Sequence, residues 1–266
     1  MLTDQDLMDQ LMTEAVDAAE DRLSTLSQAV ADLATHHDAG ADVKSDTMRS
    51  ALARVKMEAH SLKSIAASFD MTALKALCHR FEDYIFDLKT LEGGTMANIR
   101  FFVDRMAETL DAFVQGRDVD VSALMRRLPA KGASAGFDVS DVSVQDVEVM
   151  LVMEPSTVTK IVTRELVECG YRIINVASTI DALSLIPSMR PDAVVVSRVM
   201  PELSGIDLAA ALKAMPTTRA MPVALITSNK NNDRDLKDLP SDVPVLHKGT
   251  RFGDDVADVF IKLGLL

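Results

Sequence analysis

Ala59-His60-Ser61-Leu62-Lys63-Ser64-Ile65-Ala66-Ala67-Ser68-Phe69 is the stretch from which the fold of the N-terminal half is read. Leu52, Val55, Leu62, Ala66 and Phe69 recur at helical spacing, so the segment is expected to be an amphipathic helix. His60 and Lys63 are three residues apart and face the same way, off that apolar stripe. Ser64 and Ala67 beside them are too small to block an approaching partner. A solvent-facing imidazole with a cation one turn on and an open floor suits a histidine that accepts a phosphoryl group.

Helical patterns lie on both sides of this stretch. Before it, residues 4 to about 36 place Leu7, Leu11, Ala15, Ala19, Leu23, Leu26, Val30 and Leu33 on one face. His36 and His37 then read as a solvated helix end. The His60 helix spans about 46 to 68, and Asp70 breaks it. A third helix is expected over about 72 to 90 with Leu74, Leu77, Phe81, Ile85 and Leu88 inward, stopped by Gly93-Gly94. A fourth, about 95 to 115, is expected to bury Met96, Ile99, Phe102, Met106, Leu110 and Phe113, and a short fifth follows with Val121, Leu124, Met125 and Leu128. Amphipathic helices joined by short turns predict an all-α up-and-down helical bundle over residues 1–128. Residues 129–145, rich in Gly and Ala without periodicity, read as a linker.

From 146 to 266 the pattern changes. Short apolar runs at Val147–Val152, Tyr171–Val176, Ala193–Val196, Val223–Thr227 and Val243–Leu246 alternate with helical segments. Such strands predict an α/β doubly wound five-stranded parallel sheet, whose functional edge lies at the strands' C-terminal ends. The stretch Asn229 to Asp238 is polar, so a weak or frayed helix is expected there.

The totals narrow the function classes. A net charge of −12 disfavours nucleic acid and anionic membranes as partners. No apolar run reaches membrane-spanning length and the N-terminus lacks a signal peptide's regions, so a cytoplasmic protein is expected. Cys78 and Cys169 fall in different halves, which argues against a disulfide, and no zinc-type spacing of Cys and His occurs.

The helix with His60-Ser61-Leu62-Lys63-Ser64-Ile65-Ala66-Ala67 resembles the histidine phosphotransfer (HPt) family, and within it the phosphoacceptor domain of CheA-type chemotaxis kinases. That family shows His-x-x-Lys-Gly followed by small residues, and Ser64 stands where its glycine is usual. The chemotaxis kinases also carry a His and a Glu three apart on the next helix, matched by His79 and Glu82. The resemblance covers roughly residues 5 to 115 and implies His60 as phosphoacceptor. Chemically, a carboxylate on a facing helix, Glu82, would fix the imidazole tautomer, and Lys63 would offset phosphoryl charge. His79 is expected to hold Glu82 or fill the bundle, and Lys56 to be a solvated-face charge.

The second half resembles the receiver domain of response regulators, but as a pseudo-receiver. Met150-Leu151-Val152-Met153-Glu154 sits where receivers show a strand and an acidic pair. Val196-Ser197-Arg198-Val199-Met200-Pro201-Glu202-Leu203-Ser204-Gly205 sits where they show the phosphoacceptor Asp and a Met-Pro-x-x-x-Gly loop. Thr227 matches the switch Thr/Ser and Lys248 the Lys that ends the last strand. Here the Asp is Ser197, one metal-binding acid is Met153, the Pro after the Lys is Gly249, and the switch aromatic is Val245. Magnesium wants several oxygen ligands, so no bound cofactor is expected and magnesium would come with a partner's receiver site.

The resemblances imply a two-component phosphorelay protein. A separate histidine kinase or phosphorylated receiver would load His60, and a response-regulator receiver domain would unload it. The receiver-like half would dock or regulate. No ATP-binding boxes of a histidine kinase are seen. The alternatives are a non-phosphorylated scaffold or inhibitor of two-component partners, and a phosphatase acting on a partner's phospho-Asp. The oligomeric state is left open by the apolar stripe of the first helix.

Overall fold

The structure is a computed structural model that describes residues 4–40, 45–86, 88, 91, 94–129, 147–227, 236–247 and 252–265. The chain divides into two compact units, one ending at Pro129 and one holding the residues from 147 on.

The first unit is a helical bundle of α1 (Asp4–Asp38), α2 (Asp46–Ser68), α3 (Thr72–Phe86) and α4 (Thr95–Val114), with a short α5 (Val121–Arg126) after them. Local chemistry sets the turns. Ser45 caps α2 by accepting from the Met48 N–H, and Asp70, at φ 53°, takes the left-handed conformation that turns the chain into α3. Gly94, at φ 84°, precedes α4 in the same conformation, which a side chain would strain. Leu26, Leu33, Val55, Leu62, Leu74, Leu77, Phe81, Phe102 and Met106 are fully buried between the helices. Phe81 and Tyr84 pack at a tilt on Phe102, with centroids 5.4 and 5.2 Å away.

Three expectations need correction. Leu7 and Leu11 are exposed rather than buried, and burial on α1 begins at Ala15. The cause is length: α1 has 35 residues, about 52 Å, against 23 residues, about 35 Å, for α2. The first turns of α1 therefore carry the stripe past the helix that would cover it. The third helix ends at Phe86 rather than near 90, with Leu88 outside it and half-buried. Phe113, at the end of α4, is half-buried.

The second unit is a five-stranded, fully parallel sheet in the order β2-β1-β3-β4-β5. Its strands are β1 (Glu148–Val152), β2 (Arg172–Val176), β3 (Ala193–Ser197), β4 (Val223–Thr227) and β5 (Val245–His247). α6 (Thr157–Glu168), α7 (Thr179–Met189), α8 (Gly205–Ala214) and α9 (Phe252–Lys262) complete it. β1, β3 and β4 are buried along their whole length, which is why they read as unbroken apolar runs. One face of the sheet packs Val149, Leu151, Val195, Ala224 and Leu246 against Val162, Leu166, Val256 and Phe260 of α6 and α9. Most of the expected linker (130–145) and of the expected weak helix (229–235) lies outside the described residues, as do Lys248 and Gly249. Among the described residues, no helix is long and apolar enough to cross a membrane.

Candidate functional site

The outer faces of α2 and α3 build the first candidate site. On α2, Ala53, Met57, His60, Ser64 and Ala67 follow one another at helical spacing and are all exposed. On α3, Lys75, His79, Glu82 and Phe86 follow the same spacing, the first three half-buried and Phe86 exposed, while Leu74, Leu77, Phe81 and Ile85 are buried on the other side. Packing of the two inner faces thus brings the two outer rows side by side.

Where the rows meet, His60 Nδ1 lies 3.0 Å from Glu82 Oε1. The other carboxylate oxygen, Oε2, accepts from the Lys63 ammonium. The His60 ring is 68 % exposed, whereas Glu82 and Lys63 are largely covered, at 21 % and 23 %. A carboxylate can only accept, so Nδ1 carries the hydrogen when the ring is neutral, and Nε2 keeps its lone pair. Lys63 fixes the second oxygen of the same carboxylate, which orients Glu82 against the ring. Ser64 donates to the His60 carbonyl at 3.0 Å, a back-bond that folds its hydroxyl down onto the helix. His79 is half-buried on α3 one turn before Glu82.

Four neighbours add to what the sequence shows of this site. Cys78, fully buried one turn before Glu82, has its thiol pushed far up by burial and then by the Glu82 charge, with Lys63 opposing. It is a neutral thiol behind the site. Lys56 donates to the Phe86 carbonyl at 2.9 Å and lies 5.9 Å from that ring's centroid, so it is more than a solvated charge. Met57 and Phe86 are large apolar side chains on rows of otherwise small or polar residues, 59 % and 52 % exposed. An apolar residue out of phase with the buried stripe was the available signal.

The second candidate site is the C-terminal edge of the sheet. Met153 follows β1 and is buried, with its N–H on the Val176 carbonyl at 3.0 Å. Glu154 is exposed, and Ser156 caps α6 by accepting from the Thr159 N–H. Ser197 ends β3, buried, its hydroxyl donating to the Val199 carbonyl at 3.1 Å. Thr227 ends β4 and is also buried. β1, β3 and β4 are neighbours, so Met153, Ser197 and Thr227 are gathered at one edge. Gly205 passes so close beneath that a Cβ there would stand 2.2 Å from the Ser197 carbonyl oxygen.

Residues 10–116 match the family model of the Hpt domain, and residues 149–241 match that of the response regulator receiver domain. The chain thus holds an Hpt domain followed by a receiver domain, a pairing that implies two-component phosphorelay. Domains of these kinds interact with kinases and response regulators. Among solved structures, the chain is similar to the receiver domain of a sensor histidine kinase from Pseudomonas aeruginosa, with 23 % identity, 44 % of this chain and 98 % of that one covered, and a TM-score of 0.40. A signal receiver domain of a signal transduction histidine kinase from Syntrophus aciditrophicus gives 25 %, 44 %, 90 % and 0.40 for the same measures. A response regulator from Desulfuromonas acetoxidans gives 23 %, 45 %, 98 % and 0.39. No curated protein matches the chain.

Proposed function

We propose that this protein carries a phosphoryl group on His60, taken from a separate kinase or a phosphorylated receiver and passed to a response-regulator Asp. The observation that carries this reading is the exposed His60 ring whose Nδ1 is held by Glu82. The Nε2 lone pair attacks phosphorus, the P–O bond to the donor's carboxylate or ADP breaks, and an Nε2–P bond forms. The imidazole becomes more acidic at Nδ1 as this happens, and the Glu82 carboxylate stabilises the hydrogen there. Lys63 sets Glu82 in place and supplies positive charge near the incoming group. Ser64 keeps the approach clear, and His79 supports Glu82 from within α3. The pattern of His60, Lys63, His79 and Glu82 is read as that of the CheA type.

The receiver domain, on this proposal, does not accept phosphate. Magnesium demands hard oxygen ligands in near-octahedral array, and a buried Met153 thioether is a poor ligand for it. The residues present do not fit the ion. Ser197 offers a neutral hydroxyl committed to the Val199 carbonyl, a far weaker nucleophile than a carboxylate. Magnesium for the aspartyl chemistry then belongs to the partner's receiver site, and this half serves docking or regulation.

The test incubates the full chain with a radiolabelled phospho-receiver, or with an active kinase and labelled ATP. Acid-labile label is expected on the wild type and none on His60→Gln. Tight binding without label would replace the carrier with a scaffold. Rapid loss of the partner's phosphate with no labelled intermediate would replace it with a phosphatase.

A further inference from the structure

The surface around His60 is uneven. On the side toward the start of α2 stand Met57, one turn before His60, and Phe86, one turn beyond Glu82. On the other side lie Ser64, Ala67 and Ser68, all exposed and all small. Two large apolar side chains left in water beside a reactive group forfeit burial that a partner could restore. Phe86 is also held. It is the last residue of α3, and Lys56 donates to its carbonyl while lying over its ring.

Transfer to Nε2 needs the donor's phosphorus within about 3–3.5 Å, in line with the bond being broken. A protein donor of ordinary interface size covers about 800 Å² on this side, and centred on His60 that area takes in residues one turn away. We propose that Met57 and Phe86, steadied by Lys56, are the apolar anchor on which a phosphorylated receiver domain seats. The Ser64–Ala67 side is the clearance that admits the edge bearing its phospho-Asp. The occupant is a receiver domain because the carrier reading requires one to meet Nε2, and the inference rests on that reading. Affinity then lies on one side of His60 and access on the other.

The experiment measures single-turnover transfer from a phosphorylated receiver to the full chain, as a function of chain concentration. Met57→Ser with Phe86→Ser is expected to raise the half-saturating concentration roughly tenfold or more, with the saturated rate little changed. Val114→Ser, equally exposed on α4, is expected to change neither. Ala67→Phe is expected to lower the saturated rate instead. Phosphoramidate, a small donor that needs no docking, is expected to label His60 equally in the wild type and the double variant. Unchanged protein-to-protein transfer in the double variant would overturn the anchor and leave the carrier standing. Loss of phosphoramidate labelling as well would overturn it too, because the residues would then act on the chemistry or the fold. A wild-type dimer that the double variant dissociates would assign the patch to a second copy and overturn it likewise. Absence of label on the wild type from either donor would remove the carrier reading and the anchor together.

Discussion

On the proposed reading, the two halves of this chain treat the same group in opposite ways. On the α2–α3 hairpin an exposed imidazole, a covered carboxylate and an ammonium meet within hydrogen-bond reach. At the sheet edge, a buried thioether and a buried hydroxyl stand at the ends of buried strands. Both sites rest on sound scaffolds, so the difference lies in the side chains. A phosphoryl acceptor needs a lone pair in the open and charge arranged around it. A receiver fold with other side chains at that edge can still keep its layers, because its stability comes from apolar strands and helices elsewhere.

The comparison breaks most sharply if acceptor chemistry can be restored to the sheet edge. In a His60→Gln background, Met153→Asp with Ser197→Asp is expected to turn no labelling by acetyl phosphate and magnesium into measurable labelling, and Ser197→Asp alone to give much less. Labelling of the unmodified receiver domain in that background would erase the distinction. Next in size, Glu82→Gln is expected to slow transfer to His60 by about a hundredfold with the fold intact, as read by rapid-quench kinetics beside circular dichroism. Equal rates would mean that the carboxylate is a bystander. Gly205→Ala forces a Cβ against the Ser197 carbonyl and is expected to destabilise the receiver domain by about 2 kcal/mol or more, measured by urea unfolding.

The smallest effect concerns Asp242, whose carboxyl is held below the usual carboxylate range by a hydrogen bond from Lys213. A depressed folded value adds stability above the unfolded value, near 4, and loses it as pH falls through the folded one. Lys213→Met is therefore expected to cost about 0.5–1 kcal/mol at pH 7, including its lost bond to the Met221 carbonyl, with the gap narrowing in acid. A gap independent of pH would assign the whole effect to packing.

Periodicity carried most of the fold. The buried stripes of α2 and α4 and the unbroken apolar strands state which faces turn inward, and the parallel sheet follows from strand–helix alternation. Periodicity does not say whether a neighbour is long enough to cover a face, which is why Leu7 and Leu11 were placed wrongly. It also misses where a helix stops: Leu88 keeps the apolar rhythm of α3, yet the helix ends at Phe86, whose carbonyl is taken by Lys56 from 30 residues away. The site divides similarly. His60 with Lys63 is a local pattern on one helix, whereas the place of Glu82 beside both came from the family pattern. The contact of Lys56 with Phe86 had no local trace at all, since it depends on how two helices lie against each other. Lys248, the remaining expected member of the sheet-edge site, lies outside the described residues.

The most direct measurement is nitrogen-15 NMR of histidine-labelled full chain before and after treatment with phosphoramidate. The expected spectrum shows His60 phosphorylated at Nε2, with Nδ1 still protonated and its hydrogen-bonded shift lost in Glu82→Gln. A His60 ring that stays unmodified while another histidine takes the phosphate would contradict the assignment of this side chain as the carrier.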